Sequence, residues 1–192
     1  HNQESQEEED MISSNTGALY ENYLSRNLSI PPATGKPALV HFIDRISKVH
    51  PAPFDENILL IHNTVTNQES IDAIKSVAKN IFWVTCPLSN IFIHNMLAPL
   101  ELFRKNGLKI LLGTDSLSSN DILSMVEEIK CIQGHFPHIP LEEILTWSTL
   151  NGAQALGKAE LFGSLTPGKA PGVVLIDNID FIKDLDKAGR SV

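Results

Sequence analysis

Short apolar runs recur along the chain, and each ends in a polar stop: Asn57-Ile-Leu-Leu-Ile-His62-Asn63, Ile81 to Thr85, and Lys109-Ile-Leu-Leu-Gly-Thr-Asp-Ser116. Runs of this length bounded by turn residues read as strands buried on both faces of a parallel sheet. Apolar residues at helical spacing lie between and around them. Leu39, Phe42, Ile43 and Ile46 predict a helix over Leu39 to Val49, and similar patterns predict helices over Asn67 to Lys79, Leu97 to Asn106, Ile122 to Gln133 and Leu141 to Leu156. Strands separated by helices pair in parallel through right-handed crossovers, which makes the chain α/β. Upstream, Ser5 to Tyr23 reads as helical segments whose acidic run, Glu7 to Asp10, forms a solvated start. Pro31, Pro32, Gly35 and Pro37 mark the loop that follows. Near the end, Gly163-Ser-Leu-Thr-Pro-Gly-Lys-Ala-Pro-Gly172 is a turn-rich segment leading into Val173-Val-Leu-Ile-Asp177, which predicts a hairpin belonging to a separate small sheet.

Composition narrows the function classes. With 192 residues, 42% hydrophobic and 20% charged, the chain can bury one substantial core, and disordered or fibrous classes are excluded. A net charge of -8, with its 15 basic residues scattered, opposes nucleic acid and points to a small neutral or cationic ligand. Cys86 and Cys131 lack C-x-x-C spacing, so neither a disulfide framework nor a structural zinc site is signalled, and a reducing cytoplasm is the expected compartment. No apolar run approaches the roughly 20 residues needed to cross a bilayer, so no membrane partner is expected.

The polar stops carry the candidate chemistry. Parallel strands point their carboxyl ends the same way, so His62 and Asp115, with His1 from the opening His1-Asn-Gln-Glu4, would share one rim. Imidazole and carboxylate are ligand types that suit zinc, iron or manganese, and such an ion would make water a nucleophile near neutral pH. Asp115 could bind the ion and accept the water's proton, with Glu4 as a general acid and base. Each residue also has a plainer reading: Asp115 as the cap of a following helix, His62 as a core histidine bonded to a carbonyl, and His1 as the remnant of a tag. Cys86-Pro-Leu-Ser89-Asn90 ends the second strand and could line the same pocket, with Cys86 as a nucleophile the weaker option. His41, His50, His94, His135 and His138 are expected in surface or structural roles.

Taken in order, His1-x-x-Glu4, Leu59-Leu-Ile-His62-Asn63, Cys86-Pro-x-Ser-Asn90 and Leu112-Gly-Thr-Asp-Ser116 resemble the second half of the amidohydrolase superfamily, in its chlorohydrolase-like and nucleobase deaminase branch. Trp147 to Gly157 and Gly163-Ser-Leu-Thr-Pro-Gly-Lys169 extend the resemblance to nearly the whole chain. It implies the C-terminal half of a (β/α)8 TIM-type barrel over residues 1–160 and, over 161–192, a hairpin segment of a small β-sandwich. It further implies His1 as a metal ligand and Glu4 as the proton shuttle. His62 would contact substrate or water, and Asp115 would both touch the metal and activate water. Ser89, Asn90 and Ser116 would line the substrate. The implied reaction is hydrolytic displacement at a ring carbon of a nitrogen heterocycle such as a purine, releasing ammonia or another leaving group through a tetrahedral intermediate. One divalent metal is implied, zinc first and iron second.

Two departures stand out. The family's H-x-H pair and its first four strands are absent, and Lys169-Ala-Pro-Gly172 replaces the usual G-K-x-A-D tail. The chain is therefore expected to be a fragment, inactive and poor in metal by itself, with open barrel edges that favour self-association. The alternative of a different class is a non-catalytic, doubly wound α/β binding or regulatory domain with Asp115 as a lone strand-end acid.

Overall fold

The computed structural model of the chain describes residues 1–177. Two helices, α1 (Gln6–Ser14) and α2 (Gly17–Ser25), precede α3 (Ala38–Ile46). Strand and helix then alternate through β1 (Phe54–Ile61), α4 (Gln68–Val77), β2 (Ala78–Thr85), α5 (Pro87–His94), α6 (Leu100–Lys105) and β3 (Lys109–Leu112). The helices α7 (Met125–His135), α8 (Leu141–Ser148) and α9 (Leu150–Ala155) follow.

The three strands form one parallel sheet in chain order, β1-β2-β3. Asn2 adds a parallel bridge to His62: its N–H donates to Ile61 O at 3.2 Å, and its carbonyl accepts from Asn63 N at 3.1 Å. His62 N bonds Val84 O on the other side, so the N-terminal segment lies on the edge of β1 away from β2. Four segments thus succeed one another in sequence order. A doubly wound sheet reverses strand order at its switch point, and no reversal occurs among the described strands.

Alternation along the strands sorts the core into two faces. Leu60, Trp83 and Ile110 form one cross-strand row in register and pack against Leu39 and Ile43 of α3, Ile71 and Ile74 of α4, Phe103 of α6, Ile129 and Ile132 of α7, and Ile144 and Trp147 of α8. Trp83 and Phe103 meet with ring centroids 5.0 Å apart. Burying each such side chain contributes about 1.5–3 kcal/mol, which makes this face the main source of stability. On the other face, Phe82 and Leu111 pack with Val84 against Ala155 of α9.

Local chemistry sets several boundaries that periodicity alone does not fix. Pro99 precedes α6, so the helix expected from Leu97 starts at Leu100. Ser124 accepts from Glu127 N and starts α7 at Met125, later than the expected Ile122. The expected helix over Leu141 to Leu156 is broken at Thr149 (φ -133°, ψ -83°). The break turns α9 onto the second sheet face, where Asn151 Nδ2 donates to Ile110 O at 2.8 Å and Asn57 Nδ2 to Ala155 O at 2.8 Å. An unexpected helix, α5, follows β2 directly, with Pro87 in its first turn. Residues 173–177 run without strand pairing, and Val173, Val174 and Leu175 are exposed. The remainder of the expected hairpin lies outside the described residues. Among the described residues, no helix is long and apolar enough to cross a membrane.

Gly163 shows why its turn motif takes glycine. Its φ is +86°, and a Cβ there would lie 2.8 Å from both Ala153 Cβ and Leu150 Cα of α9. Gly163→Ala is expected to destabilise the protein by about 1–3 kcal/mol in urea unfolding; unchanged stability would contradict this packing.

Candidate active site

The carboxyl ends of the strands converge as the register requires. His62 follows β1, Cys86 follows β2, and Gly113-Thr-Asp115 follows β3, with Gly113 N bonded to Thr85 O at 2.9 Å. Gly113 has a specific role, because a Cβ there would lie 3.2 Å from both Cys86 Sγ and Val84 Cγ1. His62 (φ 71°), Asn63 (φ 49°) and Asp115 (φ 54°) adopt left-handed backbone immediately beyond their strands. Residues other than glycine pay a steric penalty there, and such strain concentrates at functional positions.

His1, Glu4 and His62 form a cluster in which one ligand atom from each lies within 4.8 Å of the others. His62 Nε2 is 3.1 Å from His1 Nδ1 and 3.7 Å from Glu4 Oε1. On its other side, His62 Nδ1 accepts from Asn90 Nδ2 at 3.1 Å. That bond places the ring proton on Nε2, aimed at His1 and Glu4. Burial holds the His62 imidazole below its ordinary pKa, although the negative charges of Glu4 and Asp115 oppose the shift. The neutral form is therefore favoured.

Asp115 stands outside that three-residue cluster, and its carboxylate accepts from Ser89 Oγ at 2.8 Å and Ser119 Oγ at 2.5 Å. Burial pushes its carboxyl up, but the Ser119 and Ser89 hydroxyls, the His62 ring and the Ser116 N–H outweigh burial and hold it below the usual range. Asp115 does not cap a helix, since the next one is capped by Ser124. Ser89 and Asn90 are adjacent on α5, so a single helical turn ties the ends of β3 and β1 together through Asp115 and His62.

The donor chemistry fits a divalent cation: His1 offers an imidazole at the rim beside His62 and Glu4, and the Asp115 carboxylate, held ionised and tied to the same helical turn as His62, offers an oxygen. Beside His62, Asn63 Nδ2 and Asn90 Oδ1 are buried and meet no hydrogen-bond partner among the described residues. Unsatisfied buried groups are costly, and their concentration here accords with a site built to meet further polar atoms.

The N-terminal residues are pinned by part of the acidic run Glu7 to Asp10, whose pattern predicts a solvated face. Glu8 accepts from Gln3 N at 3.1 Å and Glu4 N at 2.8 Å. Gln3, fully buried, donates through Nε2 to Glu9 and Ser70 and accepts from Thr66 Oγ1 at 2.7 Å. Glu9 also accepts from Ala38 N, and burial pushes its carboxyl up. Thus half of the acidic run holds His1 and Glu4 in place instead of forming a solvated face. Periodicity could not reveal this, because the partners precede the helix or lie far along the chain.

Two further residues enter the site unannounced. His94, at the end of α5, brings Nε2 to 3.7 Å from Glu4 Oε1; its spacing of four from Asn90 was the available signal, had the helix been foreseen. Ser119, which carries no signal in the sequence, binds the Asp115 carboxylate through its hydroxyl, whereas Ser116, expected to line the substrate, meets that carboxylate through its backbone. The Ser116 side chain instead bonds Ser118 Oγ at 2.6 Å. Cys86 is buried, and desolvation, with the Asp115 and Glu128 charges adding to it, pushes its thiol up to about 12.

A family model described as the amidohydrolase family matches residues 36–191. An adenosine deaminase of Helicobacter pylori is 36% identical over 105 residues, covering 53% of this chain and 26% of that protein. A 5-methylthioadenosine/S-adenosylhomocysteine deaminase of Teredinibacter turnerae is 31% identical over 133 residues, covering 66% of this chain and 29% of that protein. Among solved structures, the Helicobacter pylori aminofutalosine deaminase in complex with methylthio-coformycin superimposes with a TM-score of 0.71 and 27% identity, over 97% of this chain and 44% of that one. The chain therefore spans less than half the length of these proteins.

A thiol held near 12 is protonated at neutral pH and is a poor nucleophile. Cys86 in the native protein is expected to resist iodoacetamide at neutral pH and to react only on denaturation, as followed by peptide mass spectrometry; rapid native labelling of Cys86 would contradict the buried environment.

Proposed function

The chain belongs to the amidohydrolase family, and from that premise we propose that it supplies half of the active site of an aminohydrolase that removes the amine of an adenine-type purine nucleoside. The carrying observation is the convergence of His1, Glu4 and His62, with Asp115 tethered to the same helical turn that holds His62. The relatives named as deaminases of adenosine and of methylthioadenosine or S-adenosylhomocysteine support the substrate class. In this reading residues 1–160 are the second half of a barrel, and residues 161–192, of which 161–177 are described, are the C-terminal segment of a small β-sandwich.

One divalent metal, zinc by ligand type with iron as the alternative, would be held by His1 and Asp115. Bound there, it supplies Lewis acidity that makes water a usable nucleophile near neutral pH. The remaining chemistry belongs to the chain. Asp115, kept ionised by Ser89, Ser119 and His62, accepts a proton from the attacking water. The Nε2–H of neutral His62 donates to negative charge that develops at the reacting carbon's new oxygen. Glu4, 3.7 Å from both His62 and His94, relays one of the water's two protons to the ring nitrogen, and the other, passed on through Asp115, leaves with the departing amine. The products are the ring carbonyl compound and ammonia, with one water consumed.

The family's H-x-H pair does not occur in this sequence, so residues 1–192 alone are inactive, and their open sheet edges favour association with a complementary half or a second copy. The full-length protein is expected to release ammonia from an adenine nucleoside. Glu4→Gln and Asp115→Asn should each lower kcat by at least about 100-fold without unfolding the protein. Undiminished turnover in Asp115→Asn, or no ammonia from any purine nucleoside tested, would reject the reading.

A further inference from the structure

Glu128 on α7 has no surface at all, and among the described residues no cation pairs with it. Its Oε2 accepts from Leu88 N, in the first turn of α5, at 2.9 Å. Its Oε1 accepts from Asn120 Nδ2 at 2.8 Å, and the same amide donates to Thr114 O at 2.9 Å. Asn120 is itself buried, and its Oδ1 accepts from Ile122 N at 3.2 Å. One buried carboxylate therefore joins two segments. The first is the turn that carries Ser89 and Asn90; the second is the loop that carries Asp115 and Ser119.

We propose that Glu128 is a positioning residue: from the rigid core side of α7 it clamps the start of α5 to the 114–120 loop, and so sets the meeting of Ser89 with Asp115 and of Asn90 with His62. Its neighbours Ile129 and Ile132 are packed in the main core, so the clamp is anchored to the best-buried layer of the molecule. Two bonds from one planar group fix both segments in distance and angle, which a pair of apolar contacts does not. A buried carboxylate without a cation is a poor way to stabilise a fold, because desolvation penalises the charge and an apolar or amide side chain of like volume avoids that cost. Burial accordingly pushes the Glu128 carboxyl up, against the donors Leu88 and Asn120. Geometry, not stability, is what the residue contributes. The inference rests on the assignment of Asp115 and His62 to the active site.

The test uses Glu128→Gln and Asn120→Ala in the full-length protein. The Glu128→Gln side chain keeps an oxygen for Leu88 N but turns an NH2 toward the Asn120 NH2, which breaks the loop side of the clamp alone. Asn120→Ala breaks the same side while leaving the carboxylate. Both variants should fold, with Glu128→Gln melting within a few degrees of wild type, as relief of the buried charge offsets the unpaired amide donors. Each should lower kcat by about tenfold or more while KM stays within about twofold, as expected when transition-state contacts alone are lost. The double variant should be no worse than Asn120→Ala alone, because Glu128→Gln severs a connection that Asn120→Ala already removes. Crystal structures should show the Ser89 Oγ to Asp115 Oδ2 contact lengthened from 2.8 Å. A folded Glu128→Gln with an unmoved contact and wild-type kcat would overturn the proposal, as would a kcat loss that only tracks the unfolded fraction. The crystallographic arm stands whether or not the wild-type protein deaminates the nucleosides tested, so failure of the clamp and failure of the proposed function are distinguishable.

Discussion

Parallel pairing in strict chain order is the constraint on which everything else depends. Leu60, Trp83 and Ile110 share one row, and Ile61, Val84 and Leu111 share the next. Once those rows are fixed by packing, the residues just beyond them have no freedom to be elsewhere: His62, Cys86 and Asp115 arrive at one rim. A one-residue slip of any strand would exchange its faces and remove its polar stop from the site. The hydrophobic core thus sets the chemistry indirectly, by fixing where each strand stops.

Convergence alone does not make a working geometry, and the rim is finished by polar ties. Adjacent residues Ser89 and Asn90 on α5 hold Asp115 and His62 respectively. Glu8 and Glu9 hold the segment that carries His1 and Glu4 through its backbone and through Gln3. Left-handed backbone at His62, Asn63 and Asp115 is the conformational cost of leaving each strand at once and turning its side chain into the rim. The result is a mixed environment in which His62 is favoured neutral and Asp115 ionised. That difference between neighbouring groups suits them to separate donor and acceptor roles.

Elements governed by long apolar periodicity were legible in the sequence. The expected helices over Leu39 to Val49, Asn67 to Lys79 and Ile122 to Gln133 correspond to α3, α4 and α7 within a few positions, and the apolar part of the Lys109 to Ser116 run is β3. What escaped was governed by local or distant polar chemistry. Pro87 opens an eight-residue helix too short to show a period. The break at Thr149 follows from asparagine side chains that bind strand and helix carbonyls across the sheet. The acidic run looked solvated because its acceptors meet backbone donors that no spacing rule reveals. The arrival of His62 and Asp115 at one rim is legible in the sequence, because a polar stop after an apolar run is a one-dimensional signal. Ser119 and His94 are not, since their contributions depend on how a loop folds back and how a helix ends.

The central claim is that His1, Glu4, His62 and Asp115 serve one centre. Crystals of the full-length protein grown with zinc, measured at the zinc absorption edge, test it most directly. The account predicts one anomalous peak bounded by His1 and Asp115, with Glu4 and His62 facing it. A folded protein with no peak among these four residues, or with its ion bound at another face, would contradict the account.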